Sequence, residues 1–97
     1  MRLIYSPLSR DNLRDIERWL VYRNASAAVR VIDHILTVAE MLTEHPFLGR
    51  VYQDDTRRLA VPRYPYCIYY AVDEAKGIVS IETILHTSRM PPVFRES

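Results

Sequence analysis

Between Leu13 and Leu42 the chain carries two long stretches with apolar residues at helical spacing, and Asn24 alone stands between them. In the first stretch Leu13, Ile16 and Leu20 recur with Trp19 beside them, while Arg10, Asp11, Arg14, Asp15, Glu17 and Arg18 cover the other side. In the second, Ala28, Ile32, Ile35, Ala39 and Leu42 form a stripe widened by Val31, Val38 and Met41; Arg30, Asp33, Thr37, Glu40 and Glu44 form the wet side. A connection this short makes the two helices an antiparallel hairpin. Ser6-Pro7 reads as a hydroxyl N-cap followed by proline at the first helical position. The first helix ends near Arg23. Asn24 caps the second, which runs from Ala25 to about Glu44, where His45-Pro46 stops it because proline disfavours a helical residue before it. Asp11–Arg14 and Asp15–Arg18 are i,i+3 pairs, each contributing a few tenths of a kcal/mol. The wide apolar face of the second helix suits packing against both a sheet and another helix.

Elsewhere the period changes to two. Residues 2–6 read as a short strand, and residues 49–56 as irregular. Leu59 and Val61 alternate with Arg58 and Ala60 until Pro62. Tyr66 to Val72 and Ile78 to Leu85 are two longer strands joined by a hairpin loop, with Gly77 suited to positive φ. On the last strand Val79, Ile81, Thr83 and Leu85 point to the helices, and Ser80, Glu82, Ile84 and His86 point away. On its partner Ile68, Tyr70 and Val72 share the core side, and Cys67, Tyr69 and Ala71 the outer face. The expected fold is α+β: a helical hairpin on one face of a mainly antiparallel sheet, order β-α-α-β-β-β, in a single domain over residues 1–97.

A chain of 97 residues buries a little over ~60% of its unfolded surface, enough for one modest core and no deep cleft. Net charge is +1, from 13 basic and 12 acidic residues. That balance argues against nucleic acid as the main partner, since phosphate neutralisation dominates such affinity. The lone Cys67 fits a reducing compartment. With no signal peptide and no apolar run near the ~20 residues of a membrane span, the expected location is the cytoplasm. There is no glycine-rich phosphate loop, no Cys or His pair at metal spacing and no nucleophile motif, so neither metal nor cofactor is expected. His34, His45 and His86 are scattered. His86, three residues before Arg89, would suit acid–base and phosphate-stabilising chemistry, although a solvated strand end would carry the same residues. Of Tyr64, Tyr66, Tyr69 and Tyr70, Tyr70 belongs in the core, while Tyr69 and Tyr64 are candidates for the outer face.

Three blocks carry more information together than singly: His45-Pro46-x-x-Gly49-Arg50, Val61-x-Arg63-Tyr64-Pro65-Tyr66, and Leu85-His86-x-x-Arg89. With the SPLSRDNLRDIERWL segment they make the chain resemble, from Tyr5 to Arg89, the ParE branch of the ParE/RelE toxins of bacterial type II toxin–antitoxin modules. The resemblance implies one of two activities. RelE-like members are ribosome-dependent mRNA endonucleases that use basic residues and a C-terminal aromatic on the concave sheet face. ParE-like members act on DNA gyrase and block replication without cutting RNA. The arginine that the nucleases place in the central strand falls at about Cys67, Leu59–Pro62 offers no lysine, and Phe94 rather than a tyrosine follows Arg89. The resemblance therefore implies a gyrase-directed toxin that is not itself an enzyme. The alternatives are an mRNA endoribonuclease and an inactive binding module.

It also implies a ParD-like antitoxin in a hetero-oligomeric complex, with no direct sequence-specific nucleic-acid binding and no membrane association. The antitoxin would dock on the second helix at Val31, Ile35, Val38 and Met41, or add a strand to the sheet edge. A hairpin at 73–77 sets the start of one long strand beside the end of the other. Arg63, His86 and Arg89 should then gather at one end of the sheet as target-binding residues, with guanidinium groups suited to bidentate contacts.

Overall fold

Ser6 and Asn24 place both helices. In the computed structural model, which describes residues 1–94, the Ser6 hydroxyl accepts from the Ser9 N–H at 3.0 Å and Pro7 opens helix α1, Pro7–Arg23. The Asn24 backbone N–H donates to the Leu20 carbonyl at 2.7 Å, and its side chain accepts from the Ala27 N–H at 3.1 Å. One residue therefore closes α1 and caps helix α2, Ala25–Met41. Both i,i+3 pairs form on the exposed side of α1, Arg14–Asp11 at 2.8 Å and Arg18–Asp15 at 3.8 Å. Helix α2 ends at Met41 rather than near Glu44. Leu42 and Thr43 donate to carbonyls three residues back, which tightens the last turn. No helix among the described residues is long and apolar enough to cross a membrane.

The sheet has five strands: β1 Arg2–Tyr5, β2 Arg50–Gln53, β3 Thr56–Ala60, β4 Tyr66–Asp73 and β5 Ile78–His86, in the order β1-β5-β4-β3-β2. β1 lies parallel to β5 and the remaining pairs are antiparallel. The stretch 49–56, expected to be irregular, holds β2 and a tight turn in which Asp54 takes φ 46°. Gly77 takes φ 66°, as its hairpin position required.

The core forms between α2 and the helix side of the sheet. Ile35, Leu42, Ile68, Tyr70, Val79 and Ile81 are fully buried there, with Ile84 at 1% exposure. The alternation assigned to β5 holds only as far as Ile81. Tyr70 pairs with Ile81 and Tyr69 with Thr83, so Glu82 is an extra residue. This β-bulge shifts the phase, and Ile84 rather than Leu85 enters the core.

Within the His45-Pro46-x-x-Gly49-Arg50 block, packing explains the glycine. The Gly49 N–H donates to the buried Tyr70 hydroxyl at 2.8 Å, and the Gly49 carbonyl accepts from the Arg57 guanidinium at 2.8 Å. A Cβ at Gly49 would lie 2.8 Å from both the Arg58 carbonyl and the Tyr70 hydroxyl. Glycine is required here by close approach of two backbones and a core ring. Gly49→Ala is expected to destabilise the chain by roughly 1–3 kcal/mol, the usual range for overpacking. Urea denaturation checks this; an unchanged midpoint would mean that the contact relaxes freely.

Candidate functional site

Strand β5 has nine residues, and β1 pairs only with Ile78 to Ile81. Beyond that point its edge is completed by α1 instead of a strand. The Ser6 N–H donates to the Ile81 carbonyl at 2.9 Å, and the Ser6 hydroxyl to the Glu82 carbonyl at 2.7 Å. Further along α1, the Asn12 side-chain oxygen accepts from the Thr83 hydroxyl at 2.6 Å and from the Ile84 N–H at 3.0 Å. The bulge at Glu82 is thereby stitched to α1. Burial pushes the Glu82 carboxyl above the ordinary carboxylate range.

This docking leaves an open cleft of about 540 Å³ between α1 and the ends of β4 and β5. Asn12, Asp15, Ile16 and Trp19 line one wall; Tyr66, Ile84, Leu85, His86, Ser88 and Arg89 line the other. The His86 ring meets Tyr66 edge-on at 5.4 Å. Its Nδ1 accepts from the Ser88 N–H at 3.0 Å, which leaves Nε2 to carry the proton of the neutral ring. Trp19 is 54% exposed, and the Arg23 guanidinium lies 4.2 Å above its ring. The ion pairs among the described residues are Asp11–Arg14 and Asp15–Arg18, so Arg89 has no carboxylate partner there.

Two of the three expected target-binding residues, His86 and Arg89, thus share one cleft. Arg63 does not line it. It sits at the same end of the sheet, on the exposed turn before β4, which is tied across by the Thr87 N–H donating to the Pro65 carbonyl at 2.8 Å. Tyr64 lies on the helix side rather than the outer face: its ring packs edge-on against His34 at 5.3 Å, and the His34 Nε2 is buried without a partner.

The expected antitoxin surface needs correcting. Val31, Ile35 and Val38 are 6%, 0% and 5% exposed, because the chain's own sheet covers them. Of the four, only Met41 is open, at 46%. The apolar side chains that α2 does present outward are Val29, Leu36 and Met41.

The outer face of the sheet holds a feature that strand alternation did not reveal. Tyr69 is 3% exposed although it points away from the helices. Its hydroxyl accepts from the Arg58 Nε at 3.3 Å, which raises the guanidinium pKa, and its ring packs at 5.0 Å from Tyr52 and 6.1 Å from Phe94. The C-terminal segment is drawn over this face. The Tyr52 hydroxyl donates to the Pro92 carbonyl at 2.6 Å, and the Phe94 N–H to the Gln53 side-chain oxygen at 3.1 Å. The aromatic at position 94 was the sequence signal for this cover. Cys67 is 1% exposed, between Ala60 and Leu85 on the neighbouring strands. No group of three His, Cys, Asp or Glu side chains suited to a metal ion occurs among the described residues.

Comparison with known proteins gives concordant matches. The family described as ParE toxin of type II toxin-antitoxin system, parDE, matches residues 3–91. A curated relative, Toxin RelE3 of Caulobacter vibrioides, is 41% identical over 68 residues, which is 68% of this chain and 74% of that protein. Among solved structures, one from the chromosomal ParDE system of P. aeruginosa superposes with a TM-score of 0.79 at 18% identity, covering 91% of this chain and 97% of that one. The RelBE2 toxin–antitoxin complex of Mycobacterium tuberculosis gives 0.66 at 17% identity, covering 88% and 95%. These two structures share the fold.

Asn12→Ala would strip the partner from the Thr83 hydroxyl and the Ile84 N–H. An orphaned buried donor costs about 1–3 kcal/mol, so the variant is expected to lose about 2 kcal/mol by chemical denaturation. Faster amide exchange at Ile84 should accompany the loss. Unchanged exchange there would show that another group takes over the edge.

Proposed function

Because the chain belongs to the ParE toxin family of type II toxin–antitoxin systems, we propose that it inhibits DNA gyrase, arrests growth by blocking replication in the bacterial cytoplasm, and is silenced by a ParD-like antitoxin. The observation that carries this reading is the cleft where His86 and Arg89 face the half-exposed Trp19. Tryptophan and arginine dominate protein–protein hot spots. Here they sit on a chain of net charge +1, which suits a protein target better than a polyanion.

The outer sheet face supports the same reading. In-line attack by a ribose hydroxyl needs a base, an acid and charge stabilisation. On that face the Tyr69 hydroxyl is engaged by Arg58, the Tyr52 hydroxyl is bound to Pro92, and the Phe94 ring lies over both tyrosines. The second reading, an mRNA endoribonuclease, is favoured by the Arg58–Tyr69 pair and requires the C-terminal segment to swing away.

In a supercoiling assay the purified chain is expected to inhibit gyrase, and Arg89→Ala to weaken inhibition by about tenfold with an unchanged melting temperature. Codon-specific cleavage of ribosome-bound mRNA, mapped by primer extension, would establish the nuclease reading instead. A chain that neither inhibits gyrase nor cleaves mRNA would be a binding module only.

The antitoxin reading draws support from the outward apolar side chains Val29, Leu36 and Met41. They suit helix-in-groove docking, and the sheet's open edges suit strand addition. Binding to the folded state at a thousandfold excess over Kd adds about 4 kcal/mol, a large fraction of the ~5–15 kcal/mol typical of a domain. Antitoxin addition is therefore expected to raise the melting temperature clearly. An unchanged melt would mean that the antitoxin does not engage the folded chain.

A further inference from the structure

Three of the described residues have left-handed backbone: Gly77 at φ 66°, Asp54 at φ 46° and Arg63 at φ 77°. Glycine takes this conformation without strain, and aspartate tolerates it. Arginine takes it only at a steric cost. The turn that holds it begins Val61-Pro62-Arg63, with proline second and a φ near +80° third. That is the pattern of a type II turn, whose third position belongs to glycine or asparagine. With any Cβ the side chain crowds the following carbonyl, so Arg63 works against the turn.

The turn does not depend on its guanidinium. Other groups hold it: the Val61 N–H donates to the Tyr66 carbonyl at 2.9 Å, the Tyr66 N–H to the Tyr64 carbonyl at 2.8 Å, and the Thr87 N–H to the Pro65 carbonyl at 2.8 Å. Pro62 and Pro65 fix their own φ angles. Arg63 itself is exposed, and among the described residues its guanidinium takes part in none of the hydrogen bonds or ion pairs. What the side chain contributes is a fixed positive charge on a rigid mount, at the same end of the sheet as His86 and Arg89.

We infer that Arg63 is a specificity-determining residue that reads a carboxylate on the protein target, beside the cleft; the inference rests on the reading of this sheet end as the target surface. A stiff mount suits such a contact, because little backbone freedom is lost on binding. The guanidinium fork matches a carboxylate in bidentate geometry. A carboxylate is favoured over a nucleic-acid phosphate because the chain is nearly neutral and the cleft rim carries Asp15 as well as Arg89. Polyanion binding relies on many cations acting together.

The test compares the parent chain with Arg63→Gly and Arg63→Lys, reading growth arrest on graded induction, melting temperature and antitoxin binding. Arg63→Gly relieves the left-handed strain, so its melting temperature should hold or rise and antitoxin binding should persist. It should nevertheless need about tenfold more toxin for the same arrest. Arg63→Lys, which keeps charge but loses the fork, should fall between. Full potency in Arg63→Gly would overturn the inference, as would a lower melting temperature, since the side chain would then be holding the turn. A parent chain that arrests nothing would also overturn it. Growth arrest by the parent without any effect on supercoiling would refute gyrase as the target, and arrest would still decide the role of Arg63.

Discussion

The shape of this molecule depends on how the edge of β5 is completed after β1 leaves it. Five residues of that strand, Glu82 to His86, run on beyond the last residue paired with β1. Backbone groups on a half-buried edge must find partners. Ser6 and Asn12 supply them, so α1 is fastened to the sheet by hydrogen bonds while few of its residues are deeply buried. The cleft lies between α1, fastened in this way and packed on the core through Leu13, Ile16 and Leu20, and the ends of β4 and β5. Two short polar side chains thus help hold the helix that carries Trp19 beside the strand that ends in His86.

The two sheet faces divide the remaining work. The helix side is a conventional core centred on Tyr70, with Gly49 drawn close to its hydroxyl. The outer side is covered by the chain's own C-terminal segment, through one hydroxyl, one amide and an aromatic cluster. Val93 in that segment stays 75% exposed, so the cover rests on few contacts. A surface closed in this way is poorly placed to offer free acid and base groups, whereas the cleft at the sheet's end is open without rearrangement.

Much of this was legible in the sequence where a single residue has a single physical role. Ser6-Pro7 and Asn24 fixed both helix starts, and Gly77 marked its hairpin. The parts that escaped notice depend on contacts distant in sequence. Strand β2 is four residues long and has no period-two run to announce it. The bulge at Glu82 leaves the alternation of β5 looking continuous, so Ile84 and Leu85 exchanged faces. The apolar stripe of α2 reads the same whether it faces a partner or its own sheet; Val31, Ile35 and Val38 turned out to be core. Asn12 carries no local sign of its role, since nothing near it in sequence shows that its oxygen reaches Thr83 and Ile84, about seventy residues away. His86 and Arg89 line one cleft because His86 closes β5 and Arg89 follows three residues later. Arg63, expected to join them, lies instead on the exposed turn before β4 and does not line the cleft.

On the proposed reading, the target binds in the cleft between α1 and the end of β5. Hydrogen exchange followed by mass spectrometry, comparing the toxin alone with the toxin mixed with gyrase, tests this placement. Slowed exchange is expected in peptides covering residues 12–19 and 84–89, with the outer strands β2 and β3 unchanged. Protection confined to residues 50–60 and 67–71, with the cleft exchanging as in the free chain, would contradict it.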